Sequence, residues 1–233
     1  MYHPFSVADT LKTAWYLLRK NFAVISIYSI IGFVSIIILS FIIYVFLFGN
    51  IVTSIGIVAL LICISFIFLG FIKLLFQLID KEYYDFEFGD IVPGIRMLFS
   101  YLLLLIMVST LSVIITNAIK ALEQGWTQSI LGIVTWAFFQ FFFLFYFPIC
   151  ACFIVDDASG PLESVIQSFQ LIRGNFLKYV LLFIVIEAMV FVGSITILGM
   201  LFVVPFVNII LVVAYRKLIY SQQDVDDNLS ETN

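Results

Sequence analysis

One acid stands alone in a long apolar stretch. Between Tyr179 and Tyr215 the only Asp, Glu, Lys, Arg or His is Glu187. A charge at the centre of a bilayer costs about 2.5–3.5 kcal/mol on insertion scales, so such a residue needs a reason. Two chemistries fit. Glu187 can serve as a proton, cation or head-group site facing a bundle interior. It can equally be a neutral carboxyl that hydrogen-bonds a neighbouring helix. Gly193, Gly199 and Pro205 interrupt the apolar segments around it, and interrupted spans point to transporter binding sites. Asn208 follows Pro205 by three residues, and Gln140 lies near the middle of another apolar run. With Glu187 these form a candidate ligand-binding cluster; each taken alone also fits an interhelical hydrogen bond.

Other reactive residues offer less. Asp80, Glu82, Asp85, Glu87 and Asp90 crowd one loop, interleaved with Tyr83, Tyr84, Phe86 and Phe88. A cation or basic partner could dock there, but a solvated acidic loop with aromatics at an interface explains it as well. Asp156-Asp157 carries the same ambiguity. Cys63, Cys150 and Cys152 lie in apolar runs with no histidine nearby, so they read as packing residues and no metal site is expected. His3 is the single histidine. No G-x-S-x-G, H-E-x-x-H or phosphate-cradling glycine loop occurs, and no cofactor or enzymatic activity is expected.

The elements that must position these residues are membrane spans. No Asp, Glu, Lys, Arg or His occurs over 21–72, 97–119 or 124–155. Hydrophobic residues are 64% of the chain and charged ones 11%, which excludes a soluble core and points to lipid as the solvent. No patch of cations is large enough for nucleic acid. A spanning helix needs about 20 residues. The runs predict an all-α integral membrane bundle with six transmembrane helices at about 22–48, 52–79, 98–119, 128–154, 176–193 and 199–219. The first apolar run is far too long for a signal-peptide core. Of the 11 Lys and Arg, all but Lys120 fall on the side that carries both termini. The positive-inside rule then makes both termini cytoplasmic, in the inner membrane of a cell.

Three amphipathic stretches precede the three pairs of spans. Leu11, Ala14, Trp15, Leu18 and Phe22 share one helical face, as do Phe88, Ile91, Val92, Ile95 and Phe99. Val165, Ser168, Phe169, Ile172 and Phe176 repeat the pattern. Each set is displaced from the last by 77 positions, and Arg19, Arg96 and Arg173 fall on that register. The expectation is three interfacial helices, with the three arginines on water or lipid phosphates. They would head three parallel repeat units of about 5–80, 82–157 and 159–220, related by an axis along the membrane normal. Coincidence of ordinary pre-span helices is the alternative. Residues 1–220 form one transmembrane domain, and 221–233 read as a disordered acidic cytoplasmic tail. Helix starts are signalled by Ser6 with Asp9, by Asp90 ahead of Pro93, and by Gly160-Pro161 with Glu163.

The stretch Leu162-Glu163-Ser164-Val165-Ile166-Gln167-Ser168-Phe169-Gln170-Leu171-Ile172-Arg173-Gly174-Asn175-Phe176, with Pro205 and Ala214-Tyr215-Arg216-Lys217-Leu218, resembles a bacterial and archaeal group of polytopic proteins. That group includes the membrane domain fused to some glycerophosphodiester phosphodiesterases. The resemblance implies six spans in an inner membrane. The chain has no soluble phosphodiesterase domain, so that activity does not carry over.

Two functions remain in view. One is a non-enzymatic membrane protein that binds or moves a small molecule, ion or lipid through Glu187, Asn208, Gln140 and the Pro205 break. The other is a structural or assembly partner, whose interfacial helices shape lipid or hold another membrane protein.

Overall fold

The computed structural model describes residues 5–45, 50–80, 88–122 and 125–231. Every regular element among them is helical. Six helices are long and apolar enough to cross a bilayer, which makes the chain a multi-pass membrane protein. Its surface agrees with lipid as solvent. Phe41 is 64% exposed, Ile133 67% and Phe191 74%, a coat that water would not tolerate.

Helix α1 (Val7–Lys20) lies ahead of the first span, α2 (Phe22–Val45). Asn21, with φ −116°, separates them. Helix α3 (Asn50–Asp80) returns, and α4 (Ile95–Lys120) crosses again. The fourth span combines α5 (Trp126–Phe141), a π-helical segment (Phe142–Tyr146) and α6 (Phe147–Asp156). Helix α7 (Pro161–Arg173) precedes α8 (Phe176–Gly193), and α9 (Ile197–Glu231) completes the chain. The backbone of α9 stays helical to Glu231, through the segment read from sequence as a disordered tail.

Two of the three expected interfacial helices are separate elements. Asn21 and Asn175 break the chain after α1 and α7. The second stretch does not form one. It is a single 3-10 turn, Phe88–Asp90, followed by Pro93 and the start of α4. Proline disfavours helix in the residue before it, and Leu98 stands where the other two stretches have an asparagine. The helix therefore begins after Pro93 and runs unbroken into the span.

Helices α3, α6 and α9 pack against one another at the centre. Helix α1 lies on α9 and α7 on α6. The 88–93 segment docks on α3, where Gln77 Nε2 donates to the Asp90 carbonyl (3.0 Å) and Lys73 Nζ to the Val92 carbonyl (2.8 Å). Lys73 thus ties the loop to α3. Buried Ala14 and Leu18 anchor α1, and Ser164, Ser168, Leu171 and Ile172 anchor α7. The Ser6–Asp9 capping box is not made: Ser6 offers only its carbonyl, to Thr10. At α7, Pro161 opens the helix and Glu163 accepts from the Gly160 N–H (3.3 Å).

Burial is uneven along the bundle axis. Buried residues concentrate over 69–78 in α3, 100–104 in α4 and 209–218 in α9, where Lys73, Gln77, Leu102, Leu103, Arg216 and Lys217 are half-buried among them. All lie toward the end that carries Arg216. The fourth span changes character at its π segment. Only Phe139 of α5 is buried, whereas nearly every residue of α6 is. Pro148 stands just inside α6, where it lacks an N–H for the preceding turn, and a π turn is one way to absorb that loss. Tyr179 donates to the Phe145 carbonyl inside this segment (3.1 Å), giving its buried hydroxyl a partner.

At the opposite end α8 and α9 meet in a tight turn. A Cβ on Gly199 would lie 2.6 Å from the Gly193 carbonyl oxygen, and one on Gly193 would lie 2.7 Å from Val203. These glycines let two backbones approach. Pro205 sits within continuous helix and does not break α9, contrary to the reading of interrupted spans.

Candidate functional site

The most organised polar cluster closes the tightly packed end. Asp80 ends α3, Asp156 ends α6, and Arg216 lies near the end of the sixth span. Mutual packing of the three helices brings these residues together. Arg216 Nη2 bonds Asp80 Oδ2 (2.5 Å) and Nη1 bonds Asp156 Oδ2 (2.8 Å). The guanidinium also lies 4.4 Å from the Phe76 ring centroid, a cation–π contact. Buried Tyr215 donates its hydroxyl to the same Asp156 oxygen (3.0 Å), while Phe76 and Phe153 meet its ring edge-on. Next in sequence, Lys217 pairs with Asp9 and donates to Thr13 Oγ1 (3.1 Å), which ties α1 to α9.

With both terminal nitrogens of Arg216 engaged by carboxylates, this cluster is a clamp. It is not an open binding site. Asp157 flanks it, with its carboxyl pushed up by burial and by the neighbouring Asp156 charge. In the sequence Arg216 and Lys217 count as cations that set topology and as part of the family resemblance, and neither role points to the clamp. The signal was present: Asp80 and Asp156 both stand at the last turn of a span on the side that Arg216 shares.

The intramembrane polar residues occupy separate places. Asn208 and Pro205 line a cavity of about 520 Å³ between α2, α3 and α9. Its walls are mostly apolar, with Tyr28, Ser29, Ser194, Thr196 and Asn208 as polar points. Tyr28 donates to the Ile67 carbonyl (3.0 Å) and Asn208 to the Val204 carbonyl (2.8 Å), so both side chains are held in place. Gln140 lines a different cavity of about 430 Å³ between α4 and α5. Glu187 lines neither. It is half-buried on α8, one turn beyond Phe183, whose ring packs on Phe141 and Phe145. Among the described residues Glu187 makes no hydrogen bond or ion pair. Asn208 and Pro205 therefore share a site, and Gln140 and Glu187 each stand apart.

Arg19, Arg96 and Arg173 are exposed, at the end of α1, the first turn of α4 and the end of α7. Arg173 borders a shallow cavity of about 260 Å³ with Tyr146, Phe169 and Phe176. The acidic loop over 82–87 and His3 lie outside the described residues. Among the described residues no group of His, Cys, Asp or Glu converges on a metal-sized site. Cys150 and Cys152 are buried free thiols, and Cys150 accepts from Ser168 Oγ (3.3 Å). Compared with protein-family models, curated proteins and solved structures, the chain matches none.

Proposed function

We propose that this protein binds, and moves within the bilayer, a small amphiphilic molecule such as a lipid, without catalysing a reaction. The observation that carries this reading is the 520 Å³ groove between α2, α3 and α9. Apolar walls with a few fixed polar points are the usual make-up of a small-molecule site. A groove between spans also lets a ligand enter sideways from lipid. The clamp at Asp80, Asp156 and Arg216 would hold one end of the bundle shut during this exchange.

The threefold arrangement belongs to the same proposal. Each unit's leading segment rests on the last span of another unit: α1 on α9, the 88–93 segment on α3, and α7 on α6. That cyclic pattern supports parallel repeats about an axis along the membrane normal. The charge bias supports a cytoplasmic position for the clamp and both termini. Reporter tags after Ser221 and in the turn after Lys120 should report opposite compartments; a shared compartment would overturn the topology.

The groove is tested by filling it. Val204 faces it and is 50% exposed, so Val204→Trp should be accommodated without disturbing the core. Photoreactive lipid should label the wild type within 200–208, and labelling should be lost in Val204→Trp. Equal labelling of both proteins would remove the groove as the site.

A scaffold for another membrane protein is the second reading. It is favoured by aromatic residues of α1 and α7 that stay partly exposed: Trp15, 51% exposed beside Phe206, and Phe169, 43% exposed beside Tyr146. A stoichiometric partner that copurifies with the wild type, and is lost when Trp15 is made polar, would select it.

A further inference from the structure

The crevice between α4 and α5 is a different kind of space from the apolar groove. On α4, Ser112, Thr116 and Lys120 stand at successive four-residue steps and so share one face. Facing them from α5 are Gln128, Thr135 and Gln140. Gln128 Nε2 donates to the Lys120 carbonyl (3.3 Å), which fixes the mouth of the crevice. From Gln128 down to Gln140 the helical rise amounts to about 18 Å, so polar side chains reach from the membrane edge toward its middle. Among the described residues, Ser112, Thr116, Thr135 and Gln140 make no side-chain hydrogen bond. Polar groups left unpaired in hydrocarbon cost several kcal/mol, by order of magnitude, so this surface calls for a polar occupant. Gly132 lies on the same wall, and a Cβ there would meet nothing within 4 Å. The space is open.

The charge of the occupant follows from the mouth. Lys120 is the one Lys or Arg on its side of the six spans. Below it the lining adds hydroxyls and amides, whose O–H and N–H groups donate to acceptor oxygens. A cation at the rim with donors beneath suits a phosphate and the polar group it bears. Because the crevice lies between two spans, an attached apolar chain could stay in lipid while the head group enters.

We propose that the α4–α5 crevice binds a phosphate-bearing ligand, the phosphate on Lys120 and the adjoining polar group among Thr116, Gln128 and Thr135. This site is separate from the α2–α3–α9 groove and does not depend on it.

The test uses the full chain purified in a phosphate-free maltoside detergent, with binding read by native mass spectrometry. The probes are a short-chain phosphatidylglycerol, the matching diacylglycerol, and inorganic phosphate. The wild type should bind the phospholipid and not the diacylglycerol. Lys120→Gln should weaken binding roughly tenfold or more, as loss of a charge-assisted hydrogen bond does. Gly132→Leu should fill the crevice with the same result without lowering the melting temperature, because its added atoms enter open space. If inorganic phosphate binds as tightly as the phospholipid, the natural ligand is a free phosphate compound. If only the phospholipid binds, it is a lipid head group; the proposal stands in both cases. It fails if diacylglycerol binds equally well, or if neither substitution changes affinity. It fails also if the wild type is a dimer that Gly132→Leu separates, since a second copy then fills the crevice.

Discussion

Arg216 reaches back 60 residues to Asp156, and the 2.8 Å bond between them joins α9 to α6 where Tyr215 already holds the same carboxylate. Removing the guanidinium leaves Asp80 and Asp156 facing each other without a cation. Loss of one partner from a buried pair costs about 3–5 kcal/mol. Arg216 keeps some access to water and Asp80 more, so about 2 kcal/mol is expected for Arg216→Gln. Thermal unfolding in detergent measures it. Adding Asp156→Asn should recover part of the loss, because the two changes act on one contact. Strict additivity would show that the pair is not coupled. Arg216→Lys should also destabilise, since an ammonium cannot fork to two carboxylates.

Two glycines should respond in opposite ways. Gly199→Ala places a methyl against the Gly193 carbonyl and should destabilise by about 1–3 kcal/mol, as overpacking does. Gly132→Ala enters open space and should stabilise α5 by about 0.5–1 kcal/mol through helix propensity. Melting temperatures of the two variants check both signs at once.

Glu187→Gln should leave binding in the α2–α3–α9 groove unchanged, because Glu187 does not line it. Removing an unpaired acid from a span should also stabilise the fold, by up to about 2 kcal/mol. Unfolding in a denaturing detergent and photoreactive labelling provide the two readouts. Loss of labelling with intact stability would return Glu187 to the binding site.

Asp157 predicts a small pH effect. Burial and the Asp156 charge raise its carboxyl above the ordinary value in the folded state. Its ionised form is therefore penalised at neutral pH. The penalty lifts as pH falls through the raised pKa and is gone below the unfolded value. Asp157→Asn should be slightly more stable than the wild type at neutral pH, with the difference vanishing as the medium is acidified. A constant difference across pH would reject this account.

Much of the bundle was legible in the sequence. Charge-free runs delimit spans because a charge in hydrocarbon is costly. The missing second interfacial helix was legible in part: Pro93 disfavours helix ahead of it, although the apolar positions of the 77-residue register are kept. Which face of each span turns inward was not legible. Tyr179, Leu182 and Ile186 bury one side of α8 and so fix where Glu187 points. Six apolar helices offer many rotations of similar hydropathy, so Glu187, Gln140 and Asn208 looked equally able to meet. The clamp was hidden for another reason. Its residues lie at span ends, where a charge is expected on topological grounds alone and calls for no partner.

The change from exposed α5 to buried α6 within one span has a consequence for the two leaflets. At the Arg216 end the protein presents a compact post, sealed by its own side chains. At the Lys120 end its helices pack chiefly as sequential pairs, α2 with α3, α4 with α5 and α8 with α9, and acyl chains fill the space between the pairs. Lipid composition and lateral pressure in that one leaflet therefore enter the folding free energy directly. The other leaflet is little more than a boundary.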